Sequence, residues 1–161
     1  MRSSLAMAYP AGVKIHRAEL KELDAAYAIV SEYYDAVSVL VRDDRAAFER
    51  EYFADGTGIW LATVGGEIVG CIGLHHLPGL KNGAEIKRLY VRPEYRGRGI
   101  AEALLGALEA YAIGHGHGAL YLDSKSDLLT AIRFYQRQGY APCERYNDNP
   151  QATIFMRKLL S

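Results

Sequence analysis

From Val13 the chain alternates apolar and polar residues through VKIHRA, which predicts a short strand. The period then lengthens. Leu20, Leu23, Tyr27, Val30, Tyr34 and Val37 recur three or four apart and predict an amphipathic helix. A second, more polar helix is predicted over DDRAAFEREYF from Asp43, and Gly56 and Gly58 break it. GIWLATV and EIVGCIGL are β-rich runs separated by Gly65-Gly66, a pair that tolerates the positive φ of a tight hairpin turn. HHLPGLKNG reads as a loop by its Pro, Gly and Asn content, and AEIKRLYV (84–91) as another strand closed by Pro93.

The most strongly periodic helix runs from Gly99 to about Gly114, with Leu104, Leu105, Leu108, Tyr111 and Ala112 on one face. ALYLD is a short strand. The helix LLTAIRFYQRQ is expected to start near Ser126 or Asp127, with either as its cap, and to stop at Gly139. Two last strands, around Tyr140–Arg145 and Thr153–Leu159, flank the polar loop NDNPQ. The order is therefore β-α-α-β-β-β-α-β-α-β-β. Three strands in series followed by strand-helix-strand units imply an α/β fold with a mixed sheet and helices on both faces. One domain is expected over 13–161, with 1–12 a disordered lead-in.

Composition narrows the function classes. In 161 residues Lys plus Arg and Asp plus Glu both number 19, so the chain lacks the basic excess of a generic nucleic-acid binder. Cys71 and Cys143 are too few for a disulfide framework and have no zinc-ligand spacing around them. Cys71, inside IVGCIGL, reads as a small core residue. No apolar run reaches membrane-spanning length, and MRSSLAMAYPAG lacks the apolar stretch of a secretory signal, so a reducing cytoplasm and no membrane partner are expected. His75-His76 and the GHGHG of 114–118 lack metal-ligand spacing; the second reads as a helix stop and turn, and no metal is expected.

The informative stretch is RPEYRGRGIAEALL (92–105), which joins a strand to the best helix. The first turn of a helix has N–H groups without intrahelical partners and lies at the positive end of the macrodipole. Gly97 and Gly99 allow close approach and positive φ, and Arg96 and Arg98 add charge. Together they describe a cradle for a phosphate or pyrophosphate. A solvated turn is the simpler alternative. The stretch lacks the G-K-[ST] of a Walker loop and the spacing of a dinucleotide fingerprint.

RGRGIA (96–101) resembles the acyl-CoA signature [RQ]-x-x-G-x-[GA] of the GNAT N-acetyltransferase superfamily, with Arg96, Gly99 and Ala101 at the defining positions. AIRFYQRQGY (131–140) resembles that superfamily's second hallmark, and the element order is similar from Val13 to Leu159. The resemblance implies a GNAT fold: a mixed, mostly antiparallel sheet of six to seven strands with about four helices. It implies acetyl-CoA as cosubstrate, a primary amine as partner and direct transfer in a ternary complex. The pantetheine arm would lie along Leu89, Tyr90 and Val91, bonding backbone of Leu89 and Val91, and the pyrophosphate on Arg96, Gly97, Arg98, Gly99, Ile100 and Ala101. A small-molecule acceptor is favoured over a protein lysine or N-terminus by the neutral charge balance. A non-catalytic acyl-CoA sensor is the rival reading, a nucleotide or RNA binder another, and a homodimer is compatible with the family.

The same resemblance implies Glu85 as general base, the alternative being a strand carboxylate paired with Lys87 or Arg88. It implies Tyr135 as general acid near the sulfur, a role compatible with packing of the ring in the core. Tyr33, Tyr34, His75 and Asn147 are candidate acceptor contacts. Leu128 stands where many members carry an Asn that contacts the cofactor arm, so that contact is either lost or supplied by Ser124 or Ser126.

Overall fold

The computed structural model describes residues 9–80 and 82–160. Of the expected lead-in, residues 1–8 lie outside the described residues, while Pro10 O accepts from Val13 N–H (3.1 Å) at a turn leading into the first strand. The elements are β1 (Val13–Arg17), α1 (Leu23–Ala36, led in by a 3-10 turn), α2 (Arg45–Tyr52), β2 (Gly58–Val64), β3 (Glu67–His76), β4 (Gly83–Val91), α3 (Ile100–Gly114), β5 (Ala119–Ser124), α4 (Leu129–Arg137), β6 (Ala141–Pro142) and β7 (Ile154–Leu159). Their order is the one predicted.

Seven strands form one sheet in the order β1-β2-β3-β4-β5-β7-β6. Every neighbouring pair is antiparallel except β4–β5, the pair joined by the α3 crossover. The period-2 pattern sorts the two faces. Ile59 and Leu61 turn toward α1 and α2, where they pack with Ile29, Val30, Tyr34, Phe48 and Tyr52. Trp60 and Ala62 turn the other way, toward α3, in the cluster that holds Leu104, Leu105 and Leu108. The β2–β3 turn has Gly65 at φ 59 and Gly66 at φ 82, the left-handed pair a two-residue hairpin needs.

Several boundaries differ from expectation; β3, for one, runs on through His75 and His76, the start of the expected loop HHLPGLKNG. Neither Ser126 nor Asp127 caps α4; Leu128 occupies the cap with no side-chain hydrogen bond, closing a turn to Lys125 O (3.0 Å). The expected strand over 140–145 shrinks to Ala141–Pro142, because Pro142 has no N–H for a continued ladder, although Cys143 N–H still reaches Phe155 O (2.8 Å).

Glycine marks where β3 and β4 approach most closely. A Cβ at Gly70 would lie 2.7 Å from Tyr90 O, a backbone atom that cannot step aside. Gly106, on the exposed side of α3, has nothing within 4 Å of a Cβ. Gly70→Ala is expected to destabilise by about 1–3 kcal/mol through overpacking. Gly106→Ala should stabilise by about 1 kcal/mol through helix propensity. Urea unfolding of both variants checks the pair.

Candidate active site

The parallel ladder between β4 and β5 lasts three pairs, Gly83↔Ala119, Ala84↔Leu120 and Glu85↔Tyr121, and then stops. On its other side β4 loses register with β3 between Lys87, opposite Gly73, and Tyr90, opposite Cys71. One extra residue is accommodated there, and Arg88 and Leu89 have no register partner on either flank. Arg88 takes φ 63, in the left-handed region, and Cys71 Sγ donates to its carbonyl at 3.2 Å. Burial pushes the Cys71 thiol pKa up, so the donor keeps its proton.

Into the splay opens a cavity of about 490 Å³. Ile86 to Leu89 form one wall and Leu122 to Lys125 the opposite one, with Leu128, Ala131 and Tyr135 of the α4 region below. Val39, Leu40 and Val41, between α1 and α2, and Asn149 to Ala152 border it as well. Leu40 and Val41 are 77% and 81% exposed, an apolar rim with no packing reason to be apolar. Leu40 N–H donates to Gln151 Oε1 (3.3 Å) and so ties the two loops together.

Behind the β4 wall lies a polar network. The Glu85 side chain is 1% exposed, yet both oxygens are engaged: Oε1 with His75 Nε2 at 2.6 Å, and Oε2 with Tyr146 OH at 2.5 Å and Asn147 Nδ2 at 2.9 Å. Lys87 Nζ stands 3.7 Å from Oε2 and 3.2 Å from Asp123 Oδ2, which also accepts from Asn147 and Asn149. The other His75 nitrogen meets Glu51 Oε2 at 2.8 Å, near the surface. Burial alone would raise the Glu85 pKa, but the His75 hydrogen bond, the Lys87 charge and the Tyr146 hydroxyl outweigh it and hold it below the usual carboxylate value. Burial alone would lower the His75 pKa, and the two flanking carboxylates outweigh it upward.

Beyond β4, Gly97 (φ 77) and Gly99 (φ 80) carry the chain into α3, and no side chain caps that helix. A Cβ at Gly97 would meet nothing within 4 Å, whereas one at Gly99, at the helix start, would lie 3.3 Å from the Pro10 ring. Arg96 turns back, donating Nε–H to Val91 O (2.8 Å), and Arg98 lies 5.0 Å from the Tyr95 ring centroid. A positive, uncapped helix start next to a split sheet is where an extended molecule with a pyrophosphate end can lie.

The family model of the acetyltransferase (GNAT) family matches residues 23–140. The chain belongs to that family. It is an acyltransferase with a GNAT fold, and the family uses acetyl-CoA. Among its relatives, an uncharacterised N-acetyltransferase of Schizosaccharomyces pombe is 29% identical over 160 residues, 95% of this chain and 98% of the relative. N-acetyltransferase 8 of Rattus norvegicus is 31% identical over 108 residues, 65% of this chain and 49% of the relative, so the match spans about half that protein's length. A GNAT-family acetyltransferase structure from Staphylococcus aureus superposes with TM-score 0.78 at 20% identity, covering 92% of this chain and 99% of the other.

Of the residues singled out from sequence, Leu89, Tyr33 and Tyr135 line the cavity of this GNAT chain. Tyr90 and Val91 are buried in the two cores, and Tyr34 is a core residue whose hydroxyl meets Asp43. Glu85, His75 and Asn147 come together in the network one layer behind the cavity. Ser124 lines the cavity, whereas Ser126 N–H is bonded to Thr153 Oγ1. Sequence reasoning passed over Asp123, Tyr146 and the apolar rim; the non-helical run VSVLV between two helices was the signal for the rim. Among the described residues no group of three His, Cys, Asp or Glu could hold a metal, and no helix is long and apolar enough to cross a membrane.

The His75–Glu85 pair makes stability pH-dependent. The stabilisation from the lowered Glu85 is present above about pH 4.5 and is lost as pH falls through its folded value. That from the raised His75 is present below about pH 6.5 and is lost as pH rises through its folded value. Both act together between these limits. His75→Gln is therefore expected to lower the melting temperature more at pH 5.5 than at pH 9, as scanning calorimetry at the two values would register.

Proposed function

We propose that the protein moves an acetyl group from acetyl-CoA to the primary amine of a small molecule, in the cytoplasm, by direct attack with both substrates bound. The observation that carries the reading is the splay of β4 from β5 after Glu85, with a cavity in the gap and an uncapped, glycine-entered helix beside it. Residues of this chain suit the cosubstrate. The backbone of Leu89 to Val91 would hold the pantetheine arm, and the N–H groups from Arg96 to Ala101 the pyrophosphate. Open space at Gly97 and the missing side-chain cap support that fit.

Acetyl-CoA supplies a thioester carbonyl activated toward amines. In this reading the backbone N–H of Leu89, freed by the bulge, stabilises charge developing on the carbonyl oxygen. Tyr135 serves the leaving sulfur. Burial raises its pKa, so the phenol stays protonated and acts by donating a hydrogen bond. Glu85, behind the wall, is by its lowered pKa a weak base and serves as the fixed negative charge that draws the amine proton through an intervening water, with His75 and Glu51 continuing the path to the surface. Ser124, on the cavity wall, takes the place of the family's Asn in contacting the arm.

Isothermal calorimetry with coenzyme A, followed by thiol release over an amine panel with product masses, tests this reading; no binding of coenzyme A would overturn it. Tyr135→Phe should reduce kcat about 10- to 100-fold with coenzyme A affinity retained. An unchanged kcat would leave Tyr135 a packing residue. Glu85→Gln should reduce kcat/KM for the amine to a similar extent and alter its pH profile, whereas a purely structural carboxylate would change the melting temperature alone.

A further inference from the structure

Arg88 departs from what packing requires in three respects. Its φ of 63 is one that L residues rarely hold, in the middle of a strand. Its side chain is only 14% exposed, and its Nε is buried with no hydrogen-bond partner. Its acidic contact is a single long one, Nη2 to Asp43 Oδ2 at 3.4 Å. The guanidinium carbon lies 5.0 Å from the Tyr34 ring centroid and 6.0 Å from that of Tyr33, faces that offset part of the cost of burying a cation. A guanidinium has five donors in a planar fork; here Nη2 reaches Asp43 and Nε reaches nothing.

Arg88 is also on the cavity wall. The neighbouring cation is differently placed: Lys87 is matched by Asp123 at 3.2 Å and Glu85 at 3.7 Å. The cavity thus has a closely matched pole at Lys87–Asp123 and, at Arg88, a cation held by one longer contact to Asp43 with its Nε unpartnered. Between them the lining is apolar, with Val39, Leu40, Leu122 and Ala152. Asp43 already shares one arm of the guanidinium, which leaves less net positive charge than a dianion such as a phosphate monoester would need. A single planar monoanion fits the fork.

We infer that Arg88 binds a carboxylate on the acceptor, and that the acceptors are amines carrying a carboxylate and an apolar body, of amino-acid size. The inference rests on the acyl-transfer reading of the same cavity. Arg88 then determines specificity: it anchors the acceptor's acid group while the amine points along the cavity to the thioester. The bulge that frees Leu89 is the same one that turns the Arg88 side chain to the acceptor face.

The test uses matched acceptors with the full chain and saturating acetyl-CoA: leucine, methionine and phenylalanine, each against its methyl ester and its decarboxylated amine. Rates are expressed per free-base amine, since the three forms differ in amine pKa. The wild-type protein should prefer the acids by about 10- to 100-fold in kcat/KM, the range of a charge-assisted bidentate contact. Arg88→Met should bring that ratio close to one, chiefly through KM, and Arg88→Lys should keep part of it. Coenzyme A affinity by calorimetry, retained in both variants, reports an intact fold. Acids turned over no faster than their esters and amines, or no panel member turned over while coenzyme A binds, overturns the inference. So does an Arg88→Met variant that keeps the acid preference. Loss of coenzyme A binding in the wild type would remove the acyl-transfer reading and this inference with it.

Discussion

When β4 leaves β5 after Glu85, the peptide groups along both strands lose the partners a sheet would give them, and a buried N–H or C=O cannot go unpaired without cost. The rest of the molecule is arranged around that constraint. A bulge at Arg88–Leu89 breaks register with β3 at the same level, so the unpaired stretch is displaced toward the gap. Cys71 secures one of its carbonyls with a thiol that burial keeps protonated. The α3 crossover, obligatory for a parallel pair, brings an uncapped helix start alongside the opening. One interruption of hydrogen bonding thus brings the cavity, a stretch of backbone without strand partners and an uncapped helix start together.

Charge is handled in two layers. Next to the cavity, Lys87 and Asp123 neutralise one another; behind them Glu85 is held ionised by His75, Tyr146 and Asn147 while almost fully buried. A buried carboxylate with this many donors is fixed in place, and its removal would leave His75 with Glu51 alone and Lys87 with Asp123 alone. The loops bordering the cavity are joined far more sparsely than that layer. Residues 37–41 and 149–151 meet through one backbone-to-side-chain hydrogen bond across the cavity mouth.

Much of this was legible in the chain itself, for reasons that can be traced. Alternation in GIWLATV and the three-four spacing of Leu104, Leu105 and Leu108 report burial directly, and burial decided those elements. RGRG was readable as a turn into a helix, and Gly97 and Gly99 do take positive φ there. What was not legible depends on contacts distant in sequence. Glu85 draws partners from positions 75, 146 and 147, which only the sheet brings together. The bulge leaves no local mark, since neither Arg88 nor Leu89 is a residue type that signals left-handed backbone. The cap expected at Ser126 or Asp127 failed because a turn from Lys125 to Leu128 delays the start of α4.

The left-handed backbone at Arg88 sets robustness and chemistry against each other. Glycine is the residue that relaxes at φ 63, and a glycine there would also remove a buried guanidinium whose Nε has no hydrogen-bond partner. Selection for heat resistance alone would favour that exchange, and the sturdier descendant would have traded away its hold on a charged guest.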